Sequence, residues 1–245
     1  MRRNFKVKMS YLGTNYHGFQ IQDNAVTVQE TVEKALSSLL NEDIKIFGCS
    51  RTDTGVHARE FYFNFYTGNT INERGIIFGS NARLPEDIAL HTCEQVSDDF
   101  HARYDCKGKE YEYIIHNSEI KSPFLSDRAY KSWYPIDEKR LDDAAKLFVG
   151  EHDFKAFCST DCDKENTVRE IYSFDVRREG ELVKFLISGS GFLYNMVRIL
   201  VGTLLFINDG KLREQDIEKI FLTKDRTKAG KTVPPQGLYL NRVFY

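Results

Sequence analysis

The stretch "GCSRTDTGVHAREFYFNF", residues 48–65, contains two patterns. Its second half alternates, with Phe61, Phe63 and Phe65 on one face, the period of a strand with one buried side. "DIKIFGCS", 43–50, reads as a short strand entering the same stretch from the other end. Between the two lies a loop that carries Arg51, Asp53, Gly55 and His57. The plain reading of "TDTG" is a tight turn in which the aspartate bonds its own backbone. The functional reading is a carboxylate held for chemistry, with Arg51 and His57 gathered at the same cleft rim.

Working outward, "FKVKMSY", 5–11, alternates and predicts a strand, and "GTNYHGF" a loop. "TVQETVEKALSSLL", 27–40, opens with a capping box from Thr27 to Glu30, followed by a helical stripe of Val28, Val32, Ala35, Leu36 and Leu39. A second helix falls within 73–88 and ends before "NARLPEDI". "KEYEYIIHN", 109–117, is a strand with Tyr111, Tyr113 and Ile115 on one face. "DEKRLDDAAKLFVG", 137–150, is a helix with Asp137 as N-cap and Gly150 as its stop. Two strands follow around an "EG" turn near 179–180, then helices over 192–207 and around 213–222, then a final strand in "GLYLNRVFY". Strands and helices alternate without a strict parallel rhythm. The fold class expected is α+β with mostly antiparallel sheet. A break near 104–110 predicts two lobes, 1–105 with the aspartate loop and 106–245, packed closely because no low-complexity linker divides them.

Composition limits the function classes. The 245 residues suffice for a large domain or two lobes with a real core. Lys+Arg is 34 against Asp+Glu 36, so no strongly basic balance announces nucleic acid. Distribution matters more than the sum. Residues 2–8 carry four basic and no acidic side chains, and residues 211–231 carry seven basic and four acidic, so locally basic surfaces are expected. The five cysteines are odd in number and scattered, and the start has no secretory apolar segment. This predicts reduced thiols and a cytoplasmic location. Cys158 and Cys162 form a C-x3-C with His152 nearby, but no second pair stands at zinc spacing, so no metal site is expected. "FLYNMVRILVGTLLFI", 192–207, is too short to span a bilayer comfortably and is interrupted by Asn195, Arg198 and Gly202. It reads as a core helix, in which Arg198 requires a partner because a buried unpaired charge is costly.

Three catalytic readings compete at the residue level. Ser50, Asp53 and His57 invite a hydrolase triad, but no strand–turn–helix elbow surrounds Ser50. "GSGF", 189–192, resembles a phosphate-holding helix start without the Walker lysine. Tyr111 is ordinary strand material, one of 13 tyrosines, unless it serves as a face for a base.

"SRTDTGVHA" resembles the signature loop of the TruA family of tRNA pseudouridine synthases, usually GRTDAGVHA. "YLGTNYHGFQ", "TVQE", "NARLPEDIAL", "DDFHARY", "KEYEYII", "GEHDFKAF", "GFLYNMVRILVGTL" and "GLYL" follow in family order over nearly the whole chain. The chain departs at Ser50, where the family usually has glycine, and at Thr54, where it usually has alanine. The resemblance implies two related α/β lobes flanking a basic RNA-binding cleft, a homodimer, and no metal or cofactor. It makes Asp53 the catalytic aspartate and Arg51 the residue that extrudes the base. It makes Tyr111 the face that packs on the uracil and Arg198 the partner of the aspartate. The implied substrate is tRNA, with uridines at positions 38, 39 and 40 of the anticodon arm as targets. The alternatives are a related synthase acting at other RNA positions, a non-catalytic RNA-binding module, and a small-molecule hydrolase using Asp53 and His57.

Overall fold

The computed structural model describes residues 2–159 and 166–245. The chain divides into two compact units, Met1–Lys107 with Tyr239–Tyr245, and Gly108–Leu238. Expectation and structure differ over the last strand, which was placed in the second lobe and belongs to the first unit. The chain returns there because Tyr239 and Leu240 pair in parallel with His57 and Ala58.

In the first unit, β1 (Arg3–Tyr11), β2 (Ile46–Gly48), β3 (His57–Thr67), β4 (Ile88–Val96) and β10 (Leu238–Phe244) form the sheet. The order is β4-β1-β3-β10, and β2 also pairs with β3. β1 runs antiparallel to both β3 and β4, with Val7 opposite Phe63 and Cys93. Since β1 occupies one edge of β3 throughout, β10 and β2 share the other. The first residues of β3 meet β10, and Phe63–Phe65 meet β2. The alternation predicted for β1 and β3 is seen: Phe5, Val7, Met9, Phe61, Phe63 and Phe65 are fully buried. Each such side chain contributes roughly 1.5–3 kcal/mol relative to exposure. Of the apolar stripe predicted for α1 (Val28–Leu40), Val28, Val32, Ala35 and Leu36 are buried, while Leu39 is only half-buried and Leu40 is buried instead; Thr27 caps the helix by accepting the Glu30 N–H at 3.3 Å. The second helix, α2 (Glu73–Asn81), stops where the Asn81 amide turns to bond both backbone groups of Leu90.

In the second unit, β5 (Gly108–Asn117), β9 (Leu182–Gly189), β8 (Val168–Glu179) and β7 (Gly150–Asp153) lie side by side in that order. The β8–β9 hairpin turns at Gly180, whose φ of 61° suits a glycine. β6 (Tyr130–Ser132) adds to β5 in parallel. Both units are thus mixed α/β with mostly antiparallel pairing.

Three helix ends differ from the sequence reading. The helix capped by Asp137, α3 (Glu138–Ala145), is shorter than predicted, and Gly150 does not stop it but opens β7 at a φ of 108°. α4 (Met196–Asn208) begins four residues late, after Asn195 in the left-handed conformation. α5 (Asp216–Thr223) likewise starts later than 213. α4 nevertheless forms the core of its unit, buried from Ile199 to Leu204. Gly202 allows the chain at Lys231 to approach; a Cβ there would lie 1.8 Å from the Lys231 carbonyl oxygen. Among the described residues no helix is long and apolar enough to cross a membrane.

Candidate functional site

The loop between β2 and β3 is a built structure. The Val56 N–H donates to the Asp53 carbonyl at 3.1 Å, closing a turn over residues 53–56. Gly55 occupies its third position with a φ of 77°, as a type II turn requires. Asp53 is half-buried in that turn, while Arg51 and Thr54 are exposed. The Thr54 side chain therefore meets solvent, and the departure from alanine costs the loop no packing. Ser50 is half-buried, and its hydroxyl donates to the Arg51 carbonyl at 3.5 Å.

A second loop, residues 12–19, clamps the first. The Phe19 N–H donates to the Thr52 carbonyl at 3.1 Å, and the Gly55 N–H to the Tyr16 carbonyl at 3.3 Å. Thr52 is buried, and its hydroxyl pairs with that of Tyr11 at 2.8 Å. Two glycines permit the approach. A Cβ on Gly13 would lie 2.0 Å from the Val56 carbonyl oxygen, and one on Gly18 would lie 2.6 Å from that of Thr52. The clamp is held from behind by Asp87, which accepts from the Tyr16 hydroxyl at 2.6 Å and the Asn15 amide at 3.0 Å. Burial, then the hydrogen bond and charge of Asp87, push the Tyr16 pKa upward. The sequence reading passed over these residues, taking "GTNYHGF" only as a loop. Its two glycines on a short path between strand and helix were the available signal.

His57 does not fit the hydrolase reading. It is fully buried, its ring lies 4.6 Å from that of Tyr239, and its Nδ1 accepts the Gly13 N–H at 3.0 Å. A backbone N–H can only donate, so Nδ1 carries no proton. His57 thus positions the loop from inside the unit. The other histidine of interest, His152, stacks on Phe221 at 4.6 Å, and its Nε2 meets the Val149 carbonyl at 3.1 Å. Cys158 is buried, and Cys162 lies outside the described residues. Among the described residues no three His, Cys, Asp or Glu side chains are grouped to hold a metal.

The other two predicted site residues belong to the second unit. Tyr111 on β5 is 6% exposed, opposite Ile187 of β9, and meets the edge of Phe192 with centroids 5.1 Å apart. Phe192 comes from "GSGF", which thus supplies an aromatic wall beside the tyrosine. Arg198 was expected in the middle of a buried helix. With α4 starting late, it is half-buried in the first turn. Its Nε donates to the Val233 carbonyl at 2.7 Å and one terminal nitrogen to the Asn195 Oδ1 at 2.6 Å. The first turn is the positive end of a helix dipole, where a cation destabilises rather than supports the helix. Tyr113, beneath it, donates to the Pro234 carbonyl at 2.8 Å; burial drives its pKa well up, and the nearby Arg198 charge opposes the rise.

The basic stretch 2–8 is largely occupied. Lys6 pairs with Glu94 at 3.2 Å and Lys8 with Glu60 at 3.6 Å. Arg3 bonds the Asn69 and Ile71 carbonyls, and Arg2 lies over the Tyr66 ring. In 211–231, Lys211, Lys219 and Lys224 pair with Asp209, Asp216 and Asp153, while Arg213, Lys228 and Lys231 are exposed.

Comparison with known proteins gives the family. The model of a family described as tRNA pseudouridine synthase matches residues 8–105 and 144–245. A tRNA pseudouridine synthase A of Ruminiclostridium cellulolyticum is 47% identical over 99% of this chain and 100% of its own length. Its namesake in Acetivibrio thermocellus is 45% identical, and that of Thermoanaerobacter sp. 42%, each over 99% of this chain and 100% of the relative. The matched segments contain the clamped Asp53 turn and the Arg198 helix start, and the chain belongs to the tRNA pseudouridine synthase family.

Proposed function

We propose that the protein isomerises uridine to pseudouridine in tRNA, with Asp53 as the catalytic carboxylate and no metal or organic cofactor. The observation that carries this reading is the turn that holds Asp53, closed by Gly55 and clamped through Thr52, Gly13 and Gly18. A turn that served only to connect two strands would need no such support.

The reaction breaks the bond between C1′ and N1, turns the uracil, and forms a bond between C1′ and C5; the proton lost from C5 balances the one gained at N1. Positive charge develops on the sugar as the base leaves. An ionised carboxylate beside C1′ attacks it, stabilises that charge, or removes a proton from C2′; each route needs Asp53 charged at neutral pH. Arg198 is the cation that keeps it so. The target must also leave the helical stack, at a cost of a few kcal/mol. Arg51, exposed two residues from Asp53, fills the vacated space. Tyr111, with Phe192 at its side, receives the base.

The targets are uridines at positions 38, 39 and 40 of the anticodon arm, and the working form is a cytoplasmic homodimer. Three successive nucleotides cannot offer one rigid set of base contacts to one aspartate. Recognition therefore rests on backbone contacts, for which Arg213, Lys228 and Lys231 are exposed candidates. Incubation of the protein with unmodified tRNA, with and without exhaustive chelation, tests the proposal. Pseudouridine at those positions in both samples is expected. Binding without product would leave an RNA-binding module, and loss on chelation with recovery by one divalent ion would overturn the metal-free route.

A further inference from the structure

We infer that Asn195 is a positioning residue for Arg198, and so for the charge that acts on the catalytic carboxylate; the inference rests on the role given to Arg198 above. Asn195 precedes α4 in the left-handed conformation, with φ 60° and ψ 6°. That backbone is unfavourable for most side chains, though asparagine tolerates it better than most. As the N-cap residue it makes no side-chain cap bond to the helix, so its side chain is not engaged in the usual way. It is turned instead to two other groups. Oδ1 accepts from an Arg198 terminal nitrogen at 2.6 Å, and Nδ2 donates to the Ser159 hydroxyl at 2.8 Å. Guanidinium nitrogens only donate, so the amide oxygen must face Arg198, and the NH2 must then face Ser159. The Ser159 N–H donates to the Tyr194 carbonyl at 3.2 Å and docks that residue on the same turn.

Two contacts thus orient the guanidinium from within its unit, Nε on the Val233 carbonyl and a terminal nitrogen on Asn195. The bond to Asn195 acts on a terminal nitrogen, away from the Nε bond, and so restrains rotation of the planar fork about that bond. Orientation of a planar cation matters most where it faces a carboxylate, because paired N–H donors fit the two oxygens in one plane only.

Glycine at 195 separates positioning from folding. It accepts the left-handed backbone without strain, so Asn195→Gly should keep the fold, its Tm lowered by roughly 5 °C or less as the relieved strain partly offsets two lost side-chain hydrogen bonds and a freer unfolded chain. Its single-turnover rate on tRNA should fall about 10- to 100-fold, the worth of one hydrogen bond to a charged group. The tRNA Kd should stay within about twofold, because the bond aims a cation rather than holding the RNA. The same substitution is then made in an Arg198→Lys background. Lysine cannot make both bonds, so the further loss there should be under about threefold. An Asn195→Gly enzyme within twofold of the wild-type rate would overturn the inference, as would an equal loss in both backgrounds. Arg198→Met separates the two levels. If it is fully active, the role of Arg198 fails; if it is inactive while Asn195→Gly is not, only the positioning by Asn195 fails.

Discussion

Gly13→Ala tests whether the clamp on the aspartate loop matters to catalysis. Gly13 has no left-handed backbone, so alanine meets no conformational penalty there; the whole effect is steric. Its Cβ would stand 2.0 Å from the Val56 carbonyl oxygen and 2.6 Å from the carbonyl carbon. Real Cβ contacts essentially never fall below 3.0 Å, so the two segments must separate by at least 1.0 Å. The obstacle is backbone on both sides and cannot turn away. Separation also stretches the 3.0 Å bond from the Gly13 N–H to His57, which is buried and cannot find water. Overpacking of this kind costs roughly 1–3 kcal/mol, and the weakened buried bond about 1 more. A loss of about 2–4 kcal/mol lowers Tm by roughly 5–15 °C in a chain of this size. Val56 is bonded to Asp53 across the turn, so the displacement passes to the carboxylate. A misplacement of about 1 Å costs on the order of 100-fold in rate. The assay is single-turnover pseudouridine formation on tRNA beside a calorimetric Tm, with Gly68→Ala as control, where the nearest atom is 3.7 Å away. Wild-type rate and Tm in Gly13→Ala would refute the clamp.

Asp53→Asn keeps the shape of the side chain and removes its charge. It should form no detectable product while binding tRNA as well as wild type or slightly better, and near-normal turnover would end its assignment. Stability should fall as the pH rises above 9. Burial pushes the Cys93 thiol from 9.0 to about 12, and burial with the Glu60 carboxylate pushes Tyr62 from 10.0 to about 12. Above pH 9 the unfolded chain releases these protons first, so stability present at neutral pH is lost between 9 and 12. Tm measured against pH should show this slope, and Cys93→Val should flatten it. RNA affinity should fall about 10³-fold between 50 and 200 mM salt if some six phosphates are neutralised. A flat salt response, or an isolated anticodon stem-loop modified as well as whole tRNA, would show that base contacts dominate.

Much of the local structure was legible because its causes are local. Alternation in "FKVKMSY" and "EFYFNF" needs only the two-residue period of a strand, and Thr27 and Asp137 cap the helices that follow them directly. The ordered motifs located the aspartate loop and the family. Partners distant in sequence were not legible. That β10 returns to β3 depends on a pairing 182 residues apart, Tyr239 with His57. The same strand buries His57 against Tyr239 and makes a candidate base into a support. The charges of 2–8 look like a basic patch until Glu94 and Glu60 are brought beside Lys6 and Lys8. Arg198 moved from mid-helix to a helix start because Asn195 takes a left-handed turn, a choice made with Ser159 and Val233, which are far away along the chain. Residue types and spacing determine which chemistry is available. Only the tertiary structure decides which of those groups are used in packing and which are held for the substrate, because burial and pairing depend on the neighbours that folding brings together.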